Sequence, residues 1–180
     1  MIKKFLLLLL IFNLTPQTSS AAAPQELNLS RLNTSQLEDI YEYYDYKGVR
    51  GYLMLPGYHY PPIYLSSFPT DFDAVADEQK RIALFIKILA PLALRFNQQT
   101  LEQRQVIKQI KQNFDKNHEL SAEESRIIEK TAAEYDVFTR LKGYQRHKFL
   151  LTELLNRVDA IPPSFLIAAA AMETNWGTSR

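Results

Sequence analysis

The chain has 180 residues, of which 46% are hydrophobic, and its formal net charge is +1. This near-neutral balance provides no bulk attraction for polyanions, so no nucleic-acid partner is expected. The sequence contains no cysteine, which excludes disulfides, thiol nucleophiles and cysteine-ligated metals. Stability must therefore come from a hydrophobic core, for which the chain is long enough.

The N-terminal segment has the pattern of a secretory signal peptide. Lys3 and Lys4 precede the apolar run 5–12, and small residues follow at 19–23. The run is shorter than the roughly 20 apolar residues that a membrane-spanning helix needs. We therefore expect residues 1–23 to be removed during export. The product would be periplasmic or secreted, with no integral membrane segment.

The next part of the chain, residues 24–70, is predicted to be a poorly structured arm rich in tyrosine and proline. Residues 24–50 show only a weak helical period. The proline density of residues 51–69 excludes both helix interior and central strand. The tyrosines of residues 41–64 have two interpretations. They can form a surface on which sugar rings stack, or, as we favour, they cover the apolar surface of a helical domain.

From residue 71 onwards the pattern predicts helices and no convincing strand, which indicates an all-α fold. Apolar residues between Ile82 and Phe96 recur at helical spacing. Pro91 lies inside that pattern, so a kink is expected there. A second amphipathic helix is predicted over residues 98–114.

Three further helices are predicted towards the C-terminus. Ser121 and Glu124 have the spacing of a capping box, which opens the third helix. The fourth helix is predicted over residues 145–158. The pair Pro162–Pro163 precedes the last helix, whose apolar residues 165–172 predict burial on all sides.

Glu173 is the first ionisable residue of this last helix. An apolar surrounding and the negative end of the helix dipole would both disfavour a charged carboxylate there. A carboxyl group that stays protonated near neutral pH can protonate the leaving oxygen of a sugar linkage. Trp176 offers a flat face for a sugar ring, and Gly177 can adopt the left-handed conformation that ends a helix. The alternative is that Glu173 is merely solvated and Trp176 anchors the core.

Other polar residues do not form recognisable sites. His59, His118 and His147 are dispersed without metal-ligand spacing, so no metal and no cofactor are expected. The remaining candidates are interpreted as structural: a turn residue (Asp159), two surface charges (Glu134 and Asp136), a helix cap (Ser164) and a surface hydroxyl (Ser179).

The C-terminal segment Ala170–Arg180 ends in Glu-Thr-Asn-Trp-Gly-Thr-Ser-Arg. It resembles the Glu-Ser-x-Trp-Gly-Thr-Ser motif of glucosaminidase-type peptidoglycan hydrolases (glycoside hydrolase family 73). The likeness covers most of residues 60–180, although only the C-terminal motif is specific. Its upstream parts are the Pro61–Phe72 segment, the helix with Pro91 and Asn97, and the approach Val158–Ser164.

The resemblance implies a lysozyme-like domain over residues 71–180 that acts on the glycan strands of bacterial peptidoglycan. Glu173 would be its general acid and Trp176 would contact the substrate. In the family, an Asn-x-Phe-Gly segment, a small β-lobe and further helices follow the motif. The chain is therefore expected to be a truncated member, with an exposed apolar patch and partial disorder or aggregation near residues 164–180. The alternatives are a catalytically inactive remnant and an envelope helical binding protein.

Overall fold

The computed structural model describes residues 27–47 and 60–179, which are mostly helical, as the all-α prediction requires. The predicted signal peptide lies outside these residues. The described elements in chain order are β1 (Leu27–Leu29), α1 (Thr34–Tyr43), β2 (Ile63–Leu65), a short 3-10 helix (Phe72–Ala74), α2 (Glu78–Asn117), α3 (Ala122–Glu134), α4 (Gly143–Arg157) and α5 (Pro163–Thr174).

The longest element is α2, a single helix of 40 residues. The prediction of two separate helices before and after residue 97 is therefore wrong. Pro91 lies inside α2 without ending it. The apolar neighbours Ile88, Ala90 and Ala93 are buried on either side of it. Their packing offsets the backbone hydrogen bond that proline cannot donate.

Two hydrophobic clusters form along α2, one at each half of the helix. The proximal core joins the first half of α2 to α1, β2 and α5. Its buried residues are Leu37, Tyr41, Tyr46, Ile63, Leu65, Phe72, Leu84, Phe85, Ile88, Ala90, Ile167 and Ala171. The distal core joins the second half of α2 to α3 and α4. Its buried residues are Ile107, Ile110, Phe114, Ile128, Ala132, Val137, Leu150, Leu151, Leu154 and Val158.

The segment that was predicted to be a poorly structured arm contains regular elements where it is described. Helix α1 begins with a capping box in which Asn33 and Gln36 exchange hydrogen bonds. Strands β1 and β2 pair in parallel, a two-strand sheet that the sequence analysis missed. Tyr41 and Tyr46 are buried in the proximal core. For these two tyrosines, the interpretation that they cover apolar surface is confirmed.

The distal core follows the prediction closely. Ser121 and Glu124 form the expected capping box at the start of α3. Helix α4 begins two residues before the predicted start at residue 145 and ends at Arg157. Its buried leucines all face the distal core. Local patterns are sufficient here because each helix has a strong cap or a strong apolar face.

The connection between α4 and α5 is held by two side chains of α2. The Asn97 amide donates to the Ile161 carbonyl oxygen at 2.6 Å, and its oxygen accepts from the Ile161 N–H at 3.0 Å. About two turns further along α2, the Arg104 guanidinium donates to the carbonyl oxygens of Leu155 and Val158. These contacts set where α5 begins.

Helix α5 lies against α2 on one side only. Ile167 and Ala171 are buried, whereas Phe165 is 66% and Met172 is 86% exposed. The prediction that this helix is buried on all sides is wrong, because its composition is apolar all round while α2 covers a single face. The expected exposed apolar patch is present. No helix within the described ranges is both long and apolar enough to cross a bilayer.

Candidate functional site

The C-terminal motif forms a tight turn after α5. Asn175, Trp176 and Gly177 have left-handed backbones, with φ of 47°, 58° and 80°. Asparagine and glycine adopt this conformation readily, whereas a bulky residue such as tryptophan rarely does. The helix thus ends in three consecutive left-handed residues, where one is the usual number.

Hydrogen bonds centred on Thr174 hold this turn. Its hydroxyl donates to the Ala170 carbonyl oxygen at 2.7 Å and accepts the Gly177 N–H at 2.9 Å. Its carbonyl oxygen accepts the N–H groups of Thr178 and Ser179 at 3.0 and 2.9 Å. The last carbonyls of the helix therefore have partners, and the turn is fixed relative to α5.

The turn is also anchored in the proximal core. The Trp176 ring meets Phe85 edge-to-face, with 5.6 Å between ring centroids. A Cβ atom at Gly177 would lie 2.9 Å from the Phe72 ring and 3.3 Å from the Phe85 ring, so only glycine fits. Trp176 is half-buried. It is a core anchor, and sugar stacking on its exposed part stays a prediction.

Glu173 lies on the last turn of α5 and is exposed to solvent. Its side chain makes no hydrogen bond or ion pair with any residue that the structure describes. The predicted apolar environment is wrong, because the covered face of α5 is the opposite one. Glu173 does lie at the C-terminal, negative end of the helix, as predicted.

The other polar candidates have structural roles, with one correction. Asp159 accepts the Ala160 N–H at 2.8 Å and lies 3.8 Å from the Arg104 guanidinium, as a turn residue would. Glu134 and Asp136 are exposed, as predicted. Ser164 was interpreted as a helix cap, which is wrong: α5 begins at Pro163 without a side-chain cap.

The described histidines have separate positions. His118 ends α2 in a left-handed conformation, and the His147 ring meets Phe114 edge-to-face at 6.1 Å. His59 lies outside the described residues. Across residues 27–47 and 60–179, no three histidine or acidic side chains lie together in a way that could hold a metal ion.

Sequence reasoning missed a groove of about 460 Å³ between α1 and the start of α2. The Lys87 amine lies over the rings of Tyr41 and Tyr46, at 5.6 and 5.8 Å from their centroids. Burial lowers the pKa of the Lys87 amine and raises the pKa of the Tyr41 phenol. The Asn33–Gln36 spacing was the available signal, since it predicts α1 and with it one wall of the groove.

The chain matches no protein-family model, no curated protein and no solved structure. The likeness to glucosaminidase-type hydrolases therefore depends on the motif residues themselves. The geometry around Glu173 is the basis on which a function can be argued.

Proposed function

We propose that this chain is an exported glycoside hydrolase of β-N-acetylglucosaminidase type, related to lysozyme-like glucosaminidases. Its substrate class is the glycan strand of peptidoglycan, and Glu173 is its general acid. The observation that supports this most is the turn after α5, which holds Glu173 beside three consecutive left-handed residues. The signal-like N-terminus and the Glu173–Arg180 motif agree with it.

The left-handed backbone of the turn costs conformational free energy that an ordinary helix C-terminus does not. A left-handed conformation at a bulky non-glycine residue costs about 1–2 kcal/mol, and Trp176 adopts it. Such strain persists where the surrounding structure over-determines it, and it is concentrated at functional sites. Here the Thr174 hydrogen bonds and the Phe72 and Phe85 rings supply that support.

The exposure of Glu173 suits a polymeric substrate. A glycan strand can reach the carboxylate directly, and its binding would remove water from the carboxyl group. The proton would pass to the glycosidic oxygen as the bond to the leaving sugar breaks. A water molecule would add its oxygen to the anomeric carbon, and the proton it releases would restore the carboxyl group. The exposed part of Trp176 would stack on a neighbouring sugar ring.

A second candidate function is a helical binding protein of the cell envelope. The observation that favours it is the uncovered apolar side of α5, where Phe165 and Met172 are exposed next to Glu173. Contiguous exposed apolar residues commonly mark protein interaction sites. In this case Glu173 would be a charge at the rim of the interface, with no role in bond cleavage.

Release of soluble fragments from purified peptidoglycan tests the proposal. Wild-type protein is compared with Glu173→Gln and with Glu119→Gln, which alters an exposed glutamate in the connection between α2 and α3. We expect Glu173→Gln to lower the rate at least about 100-fold, since a general acid contributes 10²–10⁴-fold. Glu119→Gln should keep the wild-type rate.

Two other results have clear meanings. Equal rates for wild type and Glu173→Gln would refute the acid role of Glu173. No release by any of the three, with helical circular dichroism intact, would refute the hydrolase and favour the binding protein. In that event Phe165→Ser should weaken association with the envelope partner, whereas Glu119→Gln should not.

A further inference from the structure

A surface of mixed aromatic and basic character lies where α3 connects to α4. Residues 138–149 contain no aspartate or glutamate. Phe138 is 74% and Leu141 is 46% exposed, and the rings of Tyr144 and Phe149 also reach solvent. Single exposed apolar side chains are ordinary, whereas several on one surface can mark a protein or membrane interaction site.

The same stretch carries three exposed cations without counterions. Arg140, Lys142 and Lys148 form no ion pair with any described residue, and all three are exposed. Arg146 is different, because its guanidinium makes a bidentate pair with Glu129, at 2.9 and 2.6 Å. A positive potential therefore accompanies the exposed apolar side chains.

The surface has a fixed scaffold. Val137, next to Phe138, is buried in the distal core. The Arg146 guanidinium donates to the Thr139 carbonyl oxygen at 3.2 Å, and the Thr139 hydroxyl accepts the Leu141 N–H at 3.1 Å. Because these contacts fix the backbone around residues 138 and 141, their side chains are exposed without any folding induced by a partner.

The start of α4 is also locally unfavourable. Lys142 occupies the N-cap position without a side-chain cap, and the first turn has no acidic residue. A cation at the positive end of a helix opposes the macrodipole. An anionic partner would relieve this repulsion while it also neutralises Arg140 and Lys148.

We propose that this surface, Phe138–Phe149, docks on a bilayer that contains anionic lipids. Phe138 and Leu141 enter the boundary between headgroups and acyl chains, and the cations contact lipid phosphates. An anionic polymer would use the cations but would leave Phe138 in water. The combination of exposed apolar side chains with unpaired cations therefore favours the lipid surface. The inference is independent of Glu173, which lies at the other core.

A local fluorescence readout tests the docking in the full chain. The protein has one tryptophan, so Trp176→Phe gives a background in which Phe138→Trp places the single fluorophore on the loop. We expect its emission to shift to the blue with vesicles of phosphatidylglycerol and phosphatidylcholine, and not with phosphatidylcholine alone. Tyr43→Trp in the same background, at an 83% exposed position on α1, is the control and should not shift.

This readout separates the loop from the apolar N-terminal run, which can bind vesicles without moving residue 138 into lipid. Vesicle binding with no shift at residue 138 would refute the proposal. An equal shift at residues 138 and 43 would also refute it. Binding to heparin without a vesicle-induced shift would indicate a polyanion partner and overturn the lipid assignment.

Charge variants provide a second test that keeps the native tryptophan. Arg140→Gln with Lys142→Gln should weaken partition onto the anionic vesicles about 30-fold, since each cation near such a surface is worth about 1 kcal/mol. Arg31→Gln with Lys108→Gln removes two exposed cations elsewhere and should change partition less than about two-fold by this argument. Equal effects of the two pairs would overturn the docking site.

Discussion

The two cores along α2 are built from the sequence in different ways. The distal core uses one continuous stretch, from Ile107 to Val158. The proximal core gathers residues from Leu37 to Ala171, including β2 and both ends of the described chain. Its hydrogen bonds join segments that are distant in the sequence. The Thr34 hydroxyl donates to the Asp71 carboxylate at 2.7 Å, and the Tyr46 hydroxyl donates to the Lys87 carbonyl oxygen at 3.1 Å.

This difference has a functional counterpart. The strained turn after α5 belongs to the proximal core, whose long-range contacts fix Trp176 and Gly177. The proposed lipid-binding surface belongs to the distal core, where the capping box of α3, the leucine face of α4 and a short loop suffice. Contacts between distant segments require more loop closure before they form. The strained turn therefore depends on contacts between segments that are distant in the sequence.

The largest effect is expected from truncation of a core side chain, and its consequences should differ between the cores. Phe85 and Leu154 are both fully buried. Phe85→Ala should cost about 3–5 kcal/mol and Leu154→Ala about 2–5 kcal/mol in unfolding free energy. Only Phe85→Ala should change the emission of native Trp176, because the two rings are in contact.

Urea titrations followed by tryptophan fluorescence and by far-ultraviolet circular dichroism check both quantities. Identical native emission spectra for the two variants would contradict the separation of the cores.

A smaller loss is expected from a methyl group in the turn. Gly177→Ala should cost about 2 kcal/mol, because it combines a left-handed alanine with a Cβ atom only 2.9 Å from the Phe72 ring. Gly143→Ala is the matched control, since that left-handed glycine has no atom within 4 Å of the added methyl. It should lose about 1 kcal/mol, which is the strain of a left-handed alanine alone. Denaturation midpoints that fall equally would show that the Phe72 contact is unimportant.

The connection between the cores is tested by Asn97→Ala. The change removes both hydrogen bonds to the Ile161 backbone, at 2.6 and 3.0 Å, and should cost about 1–2 kcal/mol. Amide hydrogen exchange at Ile161 should accelerate together with the fall in melting temperature. Asn156→Ala, at an exposed position on α4, should alter neither. Unchanged exchange at Ile161 in Asn97→Ala would mean that other contacts hold the start of α5.

The smallest effect concerns pH and the distal core. The hydrogen bonds from Arg146 hold the pKa of Glu129 below its ordinary value of 4.5. The pair therefore stabilises the fold above that pH, and the contribution disappears as the pH falls through the lower, folded-state pKa. Both side chains are about a third exposed or more, so the contribution is at most about 1 kcal/mol.

Unfolding free energies of wild type and Glu129→Gln, measured from about pH 7 down to about pH 3, check this sign. The difference should shrink with acid and with added salt. A difference that grows on acidification would contradict it.

Much of the distal core could be predicted from the sequence. The Ser121–Glu124 box and the leucine face of α4 are local signals, and both occur in the structure as expected. Helix α1 was missed although Asn33 and Gln36 have capping-box spacing, because its apolar period is weak. The division of α2 near residue 97 was wrong, whereas the position of Pro91 inside a helix agrees with the structure. The two three-residue strands could not be predicted from local sequence, because each is stabilised by pairing with a distant segment, Leu27 with Ile63.

The candidate site divides in the same way. The sequence by itself determined which residues form the motif and that α5 would end near Gly177, because helix formers and left-handed residues act within one or two turns. Only the tertiary structure decided that Glu173 faces solvent and that Trp176 packs against Phe85. An apolar helix is compatible with burial on every side, and its own sequence does not specify how many neighbours cover it. That number follows from the long-range packing of α2, α1 and α5 around the proximal core.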